Sequence, residues 1–371
     1  MPRLNPLASQ PLRPVPFAEV DTPALLLDGE ALEANLETMA RFFAGRHCKL
    51  RPHFKSHKCT AVARRQMQAG AVGITCAKLG EAEVVAAAGI RNILIANQVV
   101  GPLKIRRLLE LARCAEPMVL VDSAENVRML SEAAVSAGAR LGVLIEVDVG
   151  MGRCGVAPGQ PALDLARVVA SSPGLRFDGL HGYEGHCVDL RDEAERVEKT
   201  RRSLKAMIET RRLVEGSGLP VSIVTGGGTG TYTINGDCEG VDEVQAGSYA
   251  AMDWWYKDIR PEFQQAMSIL TTVVSRPTPA TAVIDVGRKG VGAEWGPPRI
   301  KNLPGADVAS FGSEEHTKLS VPLGSPLRVG DRVEIIPSHG CTTSNLYSEF
   351  IVHRAGKPLE VWPIEGRGKM Q

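Results

Sequence analysis

The chain has 371 residues, 43 Lys and Arg against 42 Asp and Glu, and 44% apolar residues, giving a formal net charge of +1. That balance argues against a nucleic-acid coat or a basic membrane-surface protein, whose affinity comes from excess Lys and Arg. No apolar run approaches the roughly 18 residues of a membrane span, and the length suits two domains, or a barrel with an appendage, with no need of disulfides or a structural metal.

Residues 1–17 are rich in proline and lack the apolar stretch of a signal peptide. A strand-like run follows at 24–28, then a helical pattern over 30–44 with Leu32, Leu36, Met39 and Phe43 on one face. Short β-branched runs come next at 50–54, 73–77, 93–97, 118–122, 141–148, 177–183, 221–226 and 243–246. Helical patterns such as 162–170 and 193–215 lie between most of them. Strands alternating with helices mean parallel βαβ units. Nine strand candidates is one too many for an eight-stranded barrel, and 24–28 is the one to set aside. After about 256 the runs at 268–275, 281–285, 307–311, 332–336 and 348–353 are separated by Gly and Pro without a long helix, and 287–305 reads as a loop. The predicted fold is α/β, a TIM-type (β/α)8 barrel followed by a C-terminal β domain. The eight cysteines are scattered without a C-x-x-C pair, as expected of reduced thiols in a cytoplasmic protein.

Four segments carry chemistry. In 50–58, LRPHFKSHK, an extended chain puts Arg51, His53 and Lys55 on one face. If that face looks into the barrel, three cations there call for an anionic partner such as a cofactor phosphate, and a lysine among cations becomes a nucleophilic amine. The other reading is an edge strand with solvated basic residues. In 225–231, TGGGTGT, glycines and threonines follow a strand late in the barrel, where phosphate sites of this architecture sit. The next strand ends in Gly247, Ser248 and Tyr249, which supply the second half of such a cradle. In 150–155, GMGRCG matches the dinucleotide pattern, but Pro158 prevents a helix from starting there, so that reading is rejected. Arg153 in this loop is either an anion or ring-oxygen partner or a surface arginine, and His181 and Tyr183 close a strand that ends at the barrel mouth. In 338–343, SHGCTT, His339 and Cys341 two apart in extended chain face one way, and they are either a nitrogen–sulfur pair suited to a catalytic zinc-like ion with open positions or, as this motif by itself favours, a buried cysteine beside a turn histidine.

Taken together, RPHFKSHK, GMGRCG, GLHGYEGH, TGGGTGT, EVQAGSYAAMD and PSHGCTTSNLY stand in an order that resembles the D-threonine aldolase and D-serine dehydratase family. These are fold-type III pyridoxal-phosphate enzymes with an alanine-racemase-like barrel. The resemblance implies pyridoxal 5'-phosphate linked to Lys55, Arg153 and Tyr183 against its ring, and Gly227, Gly228, Thr229, Gly247, Ser248 and Tyr249 around its phosphate. It implies a divalent metal on His339 and Cys341, with manganese, zinc or cobalt favoured over magnesium by the thiolate. It places 24–28 in the β domain, so that the barrel spans 30–258 and the β domain takes 1–29 with 259–371. It also implies a homodimer acting on a small D-amino acid, with no nucleic-acid or membrane partner.

Two departures from the family pattern stand out. The second metal position, aspartate in the aldolases, is Cys341, as in the dehydratases. The histidine that the aldolases place about six residues after the tyrosine is replaced by Asp189, so the base for the substrate hydroxyl is His186 or Asp189. The expected reaction is retro-aldol cleavage of a D-3-hydroxy amino acid to glycine and an aldehyde. The competing expectation is a dehydratase, in which Lys55 removes the Cα proton and the products are a 2-oxo acid and ammonia. A cofactor carrier lacks a use for the β domain, and a racemase lacks a use for the metal.

Overall fold

A computed structural model of the chain describes residues 10–11 and 17–371. They form two compact units. One comprises Met39–Lys55, Val62–Gly247 and Lys369–Gln371; the other comprises the residues up to Thr38, Ser56–Ala61 and Ser248–Gly368. No helix among the described residues is long and apolar enough to cross a membrane.

The first unit is an eight-stranded parallel sheet curled into a barrel. Its strands in chain order are Lys49–Leu50, Ile74–Cys76, Asn92–Gln98, Glu116–Val121, Leu141–Glu146, Leu175–Gly182, Ile223–Gly226 and Glu243–Val244. From Ile74–Cys76 onward each pairs with the next in sequence, and Glu243–Val244 returns to Lys49–Leu50. The last seam, between the first two strands, is irregular. Val72 N–H donates to Leu50 O at 2.9 Å, Thr75 N–H to Pro52 O at 2.9 Å, and His53 and Thr75 form an isolated bridge. The strand predicted over 50–54 therefore stops at Leu50, because Pro52 has no N–H to continue the ladder, and Phe54–Ser56 is a turn of 3-10 helix. Lys55 stands on that turn.

Period-two alternation sorts the strand residues. Ile93, Ile95, Val143 and Ile145 pack outward with helix residues such as Leu108, Leu130 and Leu163. Leu94, Met118, Leu120 and Leu144 fill the barrel interior. Further along the inward rows, toward the strand ends, the side chains are polar: Gln98, Glu146 and His181. A barrel interior is ordinarily packed with branched aliphatics, so this change marks the end of the barrel built for chemistry.

The second unit carries a mixed sheet. Ala24–Asp28 lies antiparallel to Met267–Thr278, with Leu25 opposite Ile269, and parallel to Glu349–Arg354. Arg332–Ile336 and Thr281–Ile284 also pair with the long strand Met267–Thr278. Thr317–Ser320 and Lys357–Pro363 are strands the sequence pattern did not reveal, and the stretch predicted as a loop contains a short strand, Arg299–Ile300, paired with Arg332–Ile336. The segment carrying His339 and Cys341 also departs from its expected form. His339 is extended (φ −133°, ψ 114°), but Gly340–Leu346 is a helix, so Cys341 sits in a first helical turn.

Candidate active site

In the barrel unit, Lys55, Arg153 and Tyr183 come together. Lys55 Nζ and the Arg153 guanidinium each lie 5.7 Å from the centre of the Tyr183 ring. Arg153 is half-exposed and stands 3.8 Å from Glu146, a 5% exposed carboxylate at the end of its strand. Gln98 Nε2 donates to both Glu146 and Asp122, and Gly155 N–H donates to Asp122 at 3.2 Å. Asp122, Glu146 and Cys154 bring three potential metal-ligating atoms within 4.8 Å of one another. The Gln98 amide and the Arg153 charge already face those carboxylates, so the group serves to seat Arg153. Burial pushes the Glu146 carboxyl up, against the Gln98 hydrogen bond and the Arg153 charge, which pull it down. Burial also drives the His181 imidazole down to about 3, helped by the Arg153 and Lys55 charges, so that ring is neutral.

The other two cations expected to face a cofactor have partners in the protein. Arg51 is 1% exposed, and its Nε and Nη2 donate to Glu243 at 2.7 and 2.6 Å while Nη1 donates to Asn92 Oδ1 at 2.8 Å. The anion answering Arg51 is thus a carboxylate of the protein. His53 Nδ1 accepts the Lys55 backbone N–H at 3.4 Å, which ties it to the turn that carries the lysine. Removing the carboxylate from such a pair leaves a buried charge unanswered. Glu243→Ala is expected to lower the unfolding free energy by about 3 kcal/mol, read as a lower denaturation midpoint. The double change Arg51→Met with Glu243→Leu is expected to lose less. Equal losses for the two variants would mean that the ion pair itself is not the source.

The glycine-rich loop is gripped from below. Buried Glu184, next in the chain to Tyr183, accepts hydrogen bonds from Thr231 Oγ1 at 2.6 Å, Asn235 Nδ2 at 2.7 Å and Gly227 N–H at 3.2 Å. Gly228 N–H donates to Thr231 Oγ1 at 3.2 Å. The N–H groups of Gly227 and Gly228, expected to hold a phosphate, therefore fix the shape of the loop. Gly230 has no room for a side chain, because a Cβ there would stand 1.7 Å from Val188 O. The loop is thus set rigidly beside the Tyr183 segment. Gly247 closes this unit at its chain end. Tyr249, in the other unit, is 1% exposed and packs on Phe263 at 5.7 Å between ring centres. Among the candidate bases, His186 is exposed with its ring against Gly150, and Asp189 is half-buried.

In the other unit, Cys341 is a neighbour of two hydroxyls. Cys341 Sγ is 3.5 Å from Ser56 Oγ and 3.8 Å from Ser248 Oγ. The His339 ring meets Trp295 edge to face at 4.3 Å, and its Nδ1 is buried without a hydrogen-bond partner. Burial alone would lower the His339 pKa, but the Cys341 charge and hydrogen bond and the Asp253 charge outweigh it and push it up to about 9. Asp253 is fully buried and is pushed up to about 6 by that burial.

The donor chemistry fits both groups that the sequence pointed to. Two cations about one aromatic ring, with a neutral imidazole nearby, suit an anionic aromatic cofactor. A buried imidazole nitrogen without a partner, beside a thiol, suits a borderline-soft ion. Glu146, Gln98, Glu184 and Asp253 were not singled out from sequence. A signal existed for two of them: Glu146 is a carboxylate at an inward barrel position, and Asp253 ends the segment EVQAGSYAAMD.

The chain is similar to known proteins along almost its whole length. Residues 27–253 match the model of the alanine racemase N-terminal domain, and residues 266–353 match a putative serine dehydratase domain. D-threonine aldolase of Arthrobacter sp is 41% identical over 359 residues, 95% of this chain and 94% of that protein. The crystal structure of D-threonine aldolase from Filomicrobium marinum superposes with a TM-score of 0.93 at 41% identity, covering 97% of this chain and 99% of that one. A cysteine-to-alanine variant of D-threo-3-hydroxyaspartate dehydratase, solved in a metal-free form, superposes with a TM-score of 0.85 at 25% identity, covering 94% of this chain and 98% of that one.

Proposed function

Because the chain belongs to the alanine-racemase-like family that includes D-threonine aldolase, we propose that it is a lyase cleaving D-3-hydroxy amino acids to glycine and an aldehyde. The observation that carries this reading is its likeness to D-threonine aldolase over almost the whole of both chains. In it, residues 30–258 are the cofactor-binding barrel, and 1–29 with 259–371 form the β domain bearing the metal pair.

Pyridoxal 5'-phosphate held by Lys55 supplies an electron sink for the bond broken at Cα, and a divalent ion on His339 and Cys341 supplies a Lewis acid for the β-hydroxyl. Lys55 would hold the cofactor through its side-chain amine. Tyr183 and Arg153 hold the ring, Arg153 being kept in place by Glu146. The buried neutral His181, hydrogen-bonded to Gln245, adds no charge beneath it. Thr229, Gly247 and Ser248, with the shaped loop of Gly227 and Gly228, receive the phosphate. His186 or Asp189 takes the hydroxyl proton as the Cα–Cβ bond breaks. Zinc, cobalt or manganese suits the thiolate better than magnesium. The eight cysteines are all free thiols, which fits a reducing, cytoplasmic compartment, and the family resemblance suggests a homodimer.

Cys341 favours a second reading, a dehydratase of D-serine or D-3-hydroxyaspartate type, because it takes the place of the aldolases' aspartate. One experiment separates the two: incubate the holoenzyme with D-threonine, L-threonine and D-serine, and measure glycine, 2-oxo acid and enantiomer separately. Glycine and acetaldehyde from D-threonine are expected, with loose selection at Cβ because the ion grips oxygen rather than the side-chain carbon. Faster turnover of L-threonine than of D-threonine overturns the proposal, and 2-oxo acid as the main product moves the assignment to the dehydratase.

A further inference from the structure

We propose that Asp253 is the outer carboxylate of the metal centre, a positioning residue that orients both His339 and Cys341 toward the ion. The inference rests on the reading of that pair as metal ligands.

The Asp253 side chain is fully buried. Its Oδ1 accepts the Tyr256 N–H at 2.9 Å, which caps the short helix Trp254–Ile259. Its Oδ2 accepts the Gly340 N–H at 2.9 Å. Gly340 lies between the two ligands, so this bond fixes the start of the helical turn on which Cys341 sits. The same oxygen stands 4.0 Å from His339 Nδ1, the nitrogen that is buried without a partner. One carboxylate oxygen therefore faces the imidazole of one ligand and holds the peptide leading to the other.

A buried imidazole nitrogen left without a partner is destabilising, because its desolvation is not compensated. Metal-bound histidines usually resolve this by donating their second N–H to a carboxylate, which fixes the tautomer and raises the basicity of the ligating nitrogen. The geometry here matches that arrangement in direction. Nδ1 points toward Asp253, which leaves Nε2 as the lone pair for the ion. The 4.0 Å separation is about 1 Å longer than an ordinary N–H···O bond. A ring displacement of that size would close it, and Trp295 packs edge to face on the ring at 4.3 Å.

A purely structural cap would show itself in stability alone, so the test reads metal affinity. Asp253→Asn keeps the volume and removes the charge, and its single oxygen can accept only one of the Tyr256 and Gly340 N–H groups. Zinc affinity of the cofactor-loaded protein, measured by competition with a chromogenic chelator, is expected to fall ten- to a hundredfold, with cofactor absorbance retained and the thermal midpoint lowered but still above the assay temperature. A wild-type zinc affinity in the folded variant overturns the proposal. Should the variant not fold, nitrogen NMR of histidine-labelled, zinc-loaded wild type decides, with His339 assigned through H339Q. A protonated Nδ1 and a zinc-shifted Nε2 are expected, and zinc on Nδ1 overturns the proposal. If wild type itself binds no zinc, cobalt or manganese, it is the ligand assignment of His339 and Cys341 that fails; a wild type that binds the ion while D253N binds it equally well removes only the role of Asp253.

Discussion

Lys55→Ala is expected to lose the covalent cofactor link and to cut turnover by at least ~10⁴-fold, about 5.5 kcal/mol of barrier. Lys55 Nζ stands 5.7 Å from the Tyr183 ring centre, on a turn anchored by the hydrogen bond from its own N–H to His53. Lys58, three residues on, is 8% exposed and adopts a left-handed conformation at φ 54°. Its carbonyl accepts Gly366 N–H at 2.9 Å, so that lysine is built into the packing of its own unit. The measurement is borohydride reduction of the wild type followed by peptide mapping, alongside the absorbance of Lys55→Ala. Wild type is expected to be yellow and to carry the label on Lys55. Label on Lys58, or a mutant that keeps both colour and activity, refutes the assignment. Lys55→Arg serves as the control for charge: it keeps the cation beside Tyr183 but offers no amine for the link, and is expected to be as inactive as the alanine variant.

The second large effect concerns the metal pair. Exhaustive chelation is expected to abolish turnover while leaving the cofactor absorbance intact, and His339→Ala is expected to behave like the chelated wild type. Losing a Lewis acid that polarises the reacting oxygen removes several kcal/mol of transition-state stabilisation, on the order of 10³-fold or more in rate. Cys341→Asp carries the finer question, because it replaces the soft ligand with a hard one in the same helical turn. If Cys341 biases the chemistry toward elimination, the ratio of glycine to 2-oxo acid rises in this variant, and manganese or magnesium replaces zinc more readily. An unchanged ratio assigns the choice of bond to the base near the hydroxyl, and moves attention to His186 and Asp189. Full activity with no metal by elemental analysis removes the ion from the mechanism.

The barrel was legible because its signals are local. Runs such as Asn92–Gln98 and Glu116–Val121 are β-branched and aliphatic, and each is followed within a few residues by a helix, Pro102–Leu111 and Ala124–Ser136. Inward and outward faces follow from period two alone, and a polar residue at an inward position, like Glu146, already departs from what an aliphatic barrel core would place there. The family motifs pointed to Lys55, Arg153, Tyr183, His339 and Cys341, and the chemistry of their side chains limits what such a set can hold.

What sequence could not settle are the choices made by long-range partners. Whether Arg51 meets a cofactor or a carboxylate depends on Glu243, 192 positions away and brought adjacent by the pairing of the first and last barrel strands. Whether the Gly227 and Gly228 N–H groups are open to an anion depends on Glu184 and Thr231, whose approach follows from the fold. The helix Gly340–Leu346 is the plainest case. Its sequence, GCTTSNL, has little helix propensity, since Gly, Thr, Ser and Asn all favour other conformations. The helix forms because Asp253 takes the first N–H, Thr343 Oγ1 bonds back to His339 O at 2.7 Å, and Ser344 Oγ bonds to Gly340 O at 2.9 Å. Periodicity along the chain therefore determined which residues face one another within a strand or helix. Only the tertiary structure decided which polar groups find partners, because a buried donor takes the acceptor that the fold brings to it, however far away in the chain that acceptor lies.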